Sequence, residues 1–456
     1  MSTLLPCGSK AIASVSFLFY LRKSLSLLSS ICLLTLAATP LQAAEPFRAG
    51  AASTIITPDP LLPVSGGMGP TQPATKKLGE LSTRAVVISK GKTTVAIVSV
   101  DALGFPSVLV QRVAKKIPFI PLENIIVGST HTHSAPDFYA FPDGQGGHTG
   151  DLVYIDQVCN KMAETIVAAH RNMKECSLRV ATGDVEGQVA YNYYAVELFD
   201  PRASILQFID NDKKTIATLV NYAIHPEVLG NEVGAISPDL IGPLYDRIES
   251  KVGGVALFIN GAQGGMITAD NRDLSKIADP LKARWIDKRI WSECERIGTT
   301  LADESLRIID SAKPIPNAEL LCQHRNVDFP VDSDALWGVV QYSPLRYPHN
   351  DNRTVTSRIN ILQIGPARIA TIPGEALPNI GFYLKRKMHG EHNLLFGLTN
   401  DAFGYILTEV DFASFARYDY VSRVSLGEQT GTILIRNILE LDQQISVPAE
   451  DKTTKN

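Results

Sequence analysis

Charge is scarce in this sequence. Asp, Glu, Lys and Arg make up 20% of its 456 residues and the net charge is −4. No stripe of Lys and Arg stands ready to neutralise a phosphate backbone, so nucleic acid is not an expected partner. Aromatic residues are few, at 7%, yet hydrophobic residues reach 45%, which excludes disordered and fibrous classes and supplies a sizeable core. There is no internal repeat and no low-complexity linker. Cysteine is rare as well. Two of the six, Cys7 and Cys32, fall in the leading segment, and Cys159, Cys176, Cys294 and Cys322 lie too far apart for a metal knuckle. Four cysteines allow three disulfide pairings, but Cys159 and Cys294 sit on apolar stripes of expected helices and read as buried thiols.

No apolar run reaches the ~20 residues of a spanning helix. What the first 44 residues do contain reads as an export signal: Lys10, Arg22 and Lys23, an apolar core from Leu25 to Ala38, and a small-residue cleavage site at Leu41-Gln42-Ala43-Ala44. Lipidation at Cys32 is not expected, because Ile31 stands where a small residue belongs. The chain is therefore expected to act in the periplasm or outside the cell. Residues 45–447 form the expected catalytic domain and 448–456 a polar tail.

Within that domain strand-like runs alternate with amphipathic segments. Strands are expected at 84–89, 94–100, 124–128, 204–209, 215–223, 254–259, 358–364, 368–372 and 393–398. Ile155, Cys159, Met162, Ile166 and Ala169 recur at helical steps and predict a helix over 152–172. Another is expected to open at Ser237-Pro238-Asp239, and a third to span 282–309. This is the pattern of one α/β domain built on a mixed sheet.

Function is signalled by the polar residues just past the strands. The run to Gly128 leads into His131-Thr132-His133, the next ends at His225-Pro226-Glu227, a third at Glu375, and a fourth at Asn400-Asp401 and then Tyr405. Ligands of open α/β sheets collect beyond the carboxyl ends of strands. Two histidines one residue apart on an extended segment point the same way, and imidazole with carboxylate is a donor set for a catalytic metal that keeps a position open. Asp101, at a neighbouring strand end, is a candidate to orient a metal-bound histidine, with turn duty as its equal alternative. Asn260 and Gln263 could offer amide hydrogen bonds, and Gly264-Gly265 could let a substrate approach the backbone; a plain tight turn explains them equally well.

The ordered segments Gly50 to Pro58, Gly67-Met68-Gly69, Val98-Ser99-Val100-Asp101, Thr130 to Pro136, Asn221 to Pro226, Ile236 to Asp239, Pro373-Gly374-Glu375 and Asn400 to Tyr405 resemble the landmarks of the neutral ceramidase family, over roughly residues 48 to 440. The resemblance implies zinc held by His131, His225, Glu375 and Tyr405, with His133 close by for proton transfer and Tyr418 as a further active-site tyrosine. It implies hydrolysis of N-acylsphingosine to fatty acid and sphingosine, and with a lipid substrate a peripheral contact with a membrane surface. Three departures bear on the substrate. The family serine falls at Ile267, leaving only Thr268 to offer a hydroxyl. An arginine-bearing segment is replaced by Tyr191-Asn192-Tyr193-Tyr194. The immunoglobulin-like module of full-length ceramidases has no counterpart after about Val447. A zinc hydrolase of another amide, an ester or a glycan-derived compound, and a binding protein on the same scaffold, are the alternatives.

Overall fold

The structure is a computed structural model that describes residues 45–279 and 284–446. The expected signal and tail, residues 1–44 and 448–456, lie outside the described residues. Twelve strands carry the two larger sheets: β1 (Arg48–Ile55), β2 (Ser82–Lys90), β3 (Thr93–Val100), β4 (Ile125–Ser129), β5 (Lys174–Asp184), β6 (Arg202–Asp210), β7 (Thr215–Tyr222), β8 (Val255–Asn260), β9 (Leu320–Pro330), β10 (Thr354–Ile364), β11 (Ala367–Thr371) and β12 (His392–Phe396). The principal helices are α1 (Ser107–Ala114), α2 (Leu152–Arg171), α3 (Ile241–Val252), α4 (Trp291–Asp310), α5 (Asp334–Tyr342), α6 (Pro378–Lys387) and α7 (Thr430–Ser446).

The larger sheet runs β8-β7-β6-β5-β1-β2-β3-β4, with Ile315–Pro316 added beside β5. The smaller runs β9-β10-β11-β12. Most neighbours are antiparallel, but β3/β4, β7/β8 and β11/β12 are parallel. Strands such as β3 (TTVAIVSV) are buried along nearly their whole length, with an unbroken apolar run from Val95 to Val98, because both faces are covered. The alternation is still visible in β2. Ala85 and Val87 face α1 and α2, where Leu109, Val113, Ile155, Cys159, Met162 and Ile166 pack. Val86 and Ile88 face the smaller sheet, meeting a layer that includes Leu362, Ile369, Leu394 and Phe396. Helices α6 and α7 cover the far side of that sheet through Ile380, Leu384, Leu434 and Ile438.

The mixed α/β architecture and all nine expected strands are present, with ends displaced by a few residues. Helix α2 matches its periodicity and is capped by Asp151, whose side chain accepts from the Tyr154 amide at 2.9 Å. Two helix expectations need correction. Ser237-Pro238-Asp239 precedes α3 and does not cap it: Asp239 takes φ +55° and its carboxylate accepts from the amides of Val228, Leu229 and Leu240. The segment therefore ties down the loop that follows His225. The long helix begins at Trp291, not near 282, because Arg272–Asp279 and Arg284–Asp287 pair as an antiparallel ribbon. All four cysteines among the described residues are free thiols.

The carboxyl ends of the three parallel pairs converge where the two sheets meet. Ser129 N donates to Leu398 O at 3.2 Å and Asn400 N to Val127 O at 2.8 Å, joining β4 to the loop after β12. Gly397 N donates to Asn260 O at 2.9 Å. The buried Asn221 amide clamps the junction, donating to Ile259 O, Asn260 O and Leu395 O at 2.8–3.0 Å. Each of these strand ends leads into a candidate site residue.

Candidate metal centre

His131 is not on an extended segment. It takes φ +70°, a left-handed conformation that costs a non-glycine residue roughly 1–3 kcal/mol. It is held there by His131 N to Ala102 O at 2.9 Å. The imidazoles of His131 and His133 still converge, with centroids 4.8 Å apart, and His225 lies 4.7 Å from His131 and 5.7 Å from His133. Strain, not strand alternation, brings the first two together. The three histidines form a cluster able to hold a metal ion.

His131 Nδ1 lies 2.6 Å from Leu103 O and His225 Nδ1 lies 2.8 Å from Ile267 O. A carbonyl only accepts, so Nδ1 carries the proton in each neutral ring and Nε2 presents a lone pair. Both lone pairs face Glu375 Oε2, at 3.4 Å from His131 and 3.1 Å from His225. His133 Nε2 is buried with no hydrogen-bonding partner among the described residues. Acceptors gathered this closely repel one another unless positive charge lies among them. A proton can serve one such contact, whereas a cation serves them all, so the donor set fits a metal.

The charges in the site are coupled accordingly. Burial works to raise the Glu375 carboxyl, but His131 and His225 outweigh it and hold it well below the usual carboxylate range. Burial likewise opposes the charged form of His225, and the hydrogen bond to Glu375 with the nearby Glu227 raises it nonetheless. His133 is pushed down to about 3 by burial, against the pull of Glu227.

Glu375 and Tyr405 are register partners in a short parallel pairing of Glu375–Ala376 with Tyr405–Ile406, so their side chains leave the same face. The Tyr405 hydroxyl rests 3.2 Å from Met266 Sδ, and burial, with Glu375 beside it, pushes the phenol well above its ordinary value. Met266 itself takes φ +63°. The next residue, Ile267, has a fully buried side chain; what it gives the centre is its carbonyl, which meets both N and Nδ1 of His225. Ile267–Ala269 pairs with Ala190–Asn192, so the segment that carries Tyr191 and Asn192 is packed beside the centre.

The other expected site residues take different places. Asn260 is fully engaged by backbone, accepting from Ile224 N and Gly261 N and donating to Thr130 O and Ile224 O. Gln263 is completely buried and neither end of its amide has a partner among the described residues. Gly264 and Gly265 admit protein, not solvent: a Cβ on Gly264 would lie 2.1 Å from Glu375 O, and one on Gly265 would lie 3.0 Å from Leu377. Asp101 does not meet a histidine. Its carboxylate accepts from Ser82 N and Oγ, and main-chain carbonyls orient His131 and His225 instead. Tyr418 packs against Tyr194 and Phe415 in the buried cluster that also holds Tyr405, and it is Tyr420, not Tyr418, that lines the cleft beside Tyr405.

That cleft opens at the centre and encloses about 930 Å³, counting the part open to solvent. His131, His133, Glu375 and Asp401 stand among lining residues that are mostly apolar, including Leu103, Leu336, Val339, Val340, Phe403 and Leu426. Sequence reasoning missed Glu227, whose carboxylate stands 3.9 Å from His133 Nδ1. The signal was available, since Glu227 follows His225 with the same spacing that links His131 to His133. Leu103 and Met266 gave no such signal.

No protein-family model matches the sequence. No curated protein matches it either. Solved structures do. The neutral ceramidase from Pseudomonas aeruginosa superimposes with a TM-score of 0.70 at 16% identity, covering 89% of this chain and 75% of that one. A ceramidase complexed with C2 gives 0.69 at 17% identity, covering 89% and 76%. At this identity the likeness shows a common fold.

Proposed function

We propose that this chain, which has the fold of the neutral ceramidases, is a zinc-dependent hydrolase that cleaves an amide bond in a substrate bearing a long apolar group, as N-acylsphingosine does. The observation that carries the reading is the meeting of His131, His225 and Glu375 around lone pairs that one proton cannot serve together, in a cleft whose lining is mostly apolar. His131, His225 and Glu375 would hold the ion, with Tyr405 as the fourth donor once its hydroxyl turns from Met266. Nitrogen and oxygen donors in this mixture suit zinc at a catalytic site. Bound there, zinc supplies Lewis acidity to a carbonyl and lowers the pKa of a water.

The chain's own groups supply the rest. His133, whose buried Nε2 has no partner among the described residues, takes a proton from the attacking water as the O–C bond forms. It returns that proton to the amine nitrogen as the C–N bond breaks, releasing acid and amine. The apolar walls bind the acyl portion and exclude water around the reacting carbonyl. Asn260 holds the loops of His131 and His225 in place and is not a substrate contact. Tyr420, not Tyr418, is the phenol placed to meet the substrate. The export signal expected over residues 1–44 would put the reaction in the periplasm or outside the cell.

Loading the purified protein with zinc, dialysing, counting metal and assaying N-acyl amides of increasing chain length beside matched esters tests this reading. One zinc per chain, loss of turnover on chelation and preference for long-chain amides are expected. Failure to retain stoichiometric zinc, with no turnover of amide or ester, would favour a binding protein on this scaffold.

A further inference from the structure

We propose that Glu227 is a positioning residue for His133, fixing which ring nitrogen faces the cleft. The inference rests on the hydrolytic reading above, but its structural basis is separate. Of the three clustered imidazoles, His131 and His225 turn Nδ1 to an acceptor within hydrogen-bond distance and keep Nε2 for the centre, and His133 has its Nδ1 on the side of a carboxylate. For His131 and His225 the acceptor is a main-chain carbonyl, at 2.6 and 2.8 Å. For His133 it is the Glu227 carboxylate, at 3.9 Å.

Glu227 is well placed for that task. Its side chain is 19% exposed, and among the described residues His133 is its only ion-pair partner within 4.0 Å. Burial works to raise the Glu227 carboxyl, but His133, His225 and the neighbouring Thr268 hydroxyl hold it below its ordinary value. His133 N donates to Pro226 O at 3.1 Å, so the loops that carry the two side chains are stitched together beside them. The difference between carbonyl and carboxylate matters chemically. A carbonyl suffices for a ring that only lends a lone pair to a metal, while a ring that gains and releases a proton on Nε2 needs a partner on Nδ1 that holds its orientation throughout. The 3.9 Å separation closes to hydrogen-bond length as the proton arrives, as catalytic contacts do.

The test compares Glu227→Gln and Glu227→Asp with the unaltered zinc-loaded protein. Three readings are taken: zinc affinity by competition with a chelator, the His133 tautomer by nitrogen-15 NMR of histidine-labelled protein, and turnover. Zinc affinity within threefold of the parent is expected in both variants. In Glu227→Gln the His133 ring should lose its single Nδ1–H tautomer and kcat should fall about 100-fold with KM within threefold; Glu227→Asp should recover at least a tenth of the parent kcat. A tenfold or greater loss of zinc affinity would place Glu227 in the support of the metal and overturn the proposal. So would an unchanged tautomer in Glu227→Gln, or an unchanged kcat where the parent turns over. If the parent shows no turnover, the hydrolytic reading fails, and the tautomer and affinity still decide the role of Glu227.

Discussion

Replacing Gly264 with alanine should loosen the centre without changing the side chain of any candidate ligand. A Cβ at this position would fall 2.1 Å from Glu375 O, 2.7 Å from Glu375 C and 2.8 Å from Ala376 C. All three are backbone atoms in a short strand whose partner carries Tyr405, so no flexible side chain can swing away. The two segments must separate by about 1 Å or more to reach ordinary contact. The separation lengthens the Gly264 N to Ala376 O hydrogen bond, now 2.9 Å. Overpacking of this kind costs about 1–3 kcal/mol and loss of one hydrogen bond about 0.5–1.5 kcal/mol, so Gly264→Ala should destabilise by about 2–4 kcal/mol. Because the displaced strand carries Glu375, zinc affinity should fall by tenfold or more. Urea unfolding and chelator competition measure the two effects. Gly69→Ala, where an added Cβ meets nothing within 4 Å, serves as the control and should change neither. If Gly264→Ala unfolds within about 0.5 kcal/mol of the parent and binds zinc equally well, the steric reasoning is refuted.

Three further outcomes are expected. Asn221→Ala removes a buried amide that clamps β7, β8 and β12 and should cost about 3 kcal/mol in urea unfolding; a loss below about 1 kcal/mol would show that the three carbonyls find other donors. Asp101 is wholly buried, and burial pushes its carboxyl up to about 6 against the opposing pull of Arg84 and Ser82. Between about pH 4 and 6 the folded protein keeps a proton that the unfolded chain releases, so this group lowers stability as pH rises through that window, by up to roughly 3 kcal/mol. Asp101→Asn should therefore gain on the parent from about pH 4 to 6.5 in urea midpoints, and a constant difference would contradict the assignment. Ile267→Val should cost about 1 kcal/mol of stability for the lost methylene yet leave zinc affinity unchanged, because the carbonyl that meets His225 remains; a tenfold weaker affinity would show that the side chain matters.

The sequence made the strands legible because their apolar runs are bounded by turn residues, and it made the site legible because polar residues cluster just past those runs. His131, His225 and Glu375 could be drawn together on that ground, while Tyr405 as a ligand rests on the resemblance to the ceramidases. Where two readings are open, or local preference points to a helix start, the outcome has a common physical origin. Asp101 is a strand-end carboxylate with the right chemistry, but Ser82 already occupies it. Gly264 advertises open space, and the backbone of another strand fills it. The Ser-Pro-Asp segment reads as a helix start because its local preferences suit one, while the loop after His225 claims the Asp239 carboxylate. In each case a long-range partner, invisible to local pattern, overrides the local preference. The 272–287 ribbon was missed for another reason: it is short, borders charged residues and runs directly into α4.

The carbonyls of Leu103 and Ile267 that orient two of the histidines have a consequence for how such a centre can be inherited. Every residue has a carbonyl, so positions 103 and 267 can change side chain freely as long as the backbone path holds. The chemistry of the centre is thus buffered against drift at its supporting positions, and comparison of side chains alone will lose sight of it well before the geometry is gone. An isoleucine at 267 is then compatible with a histidine cluster able to hold a metal. The backbone trace at 264–268 is the better marker for tracing distant relatives of this site.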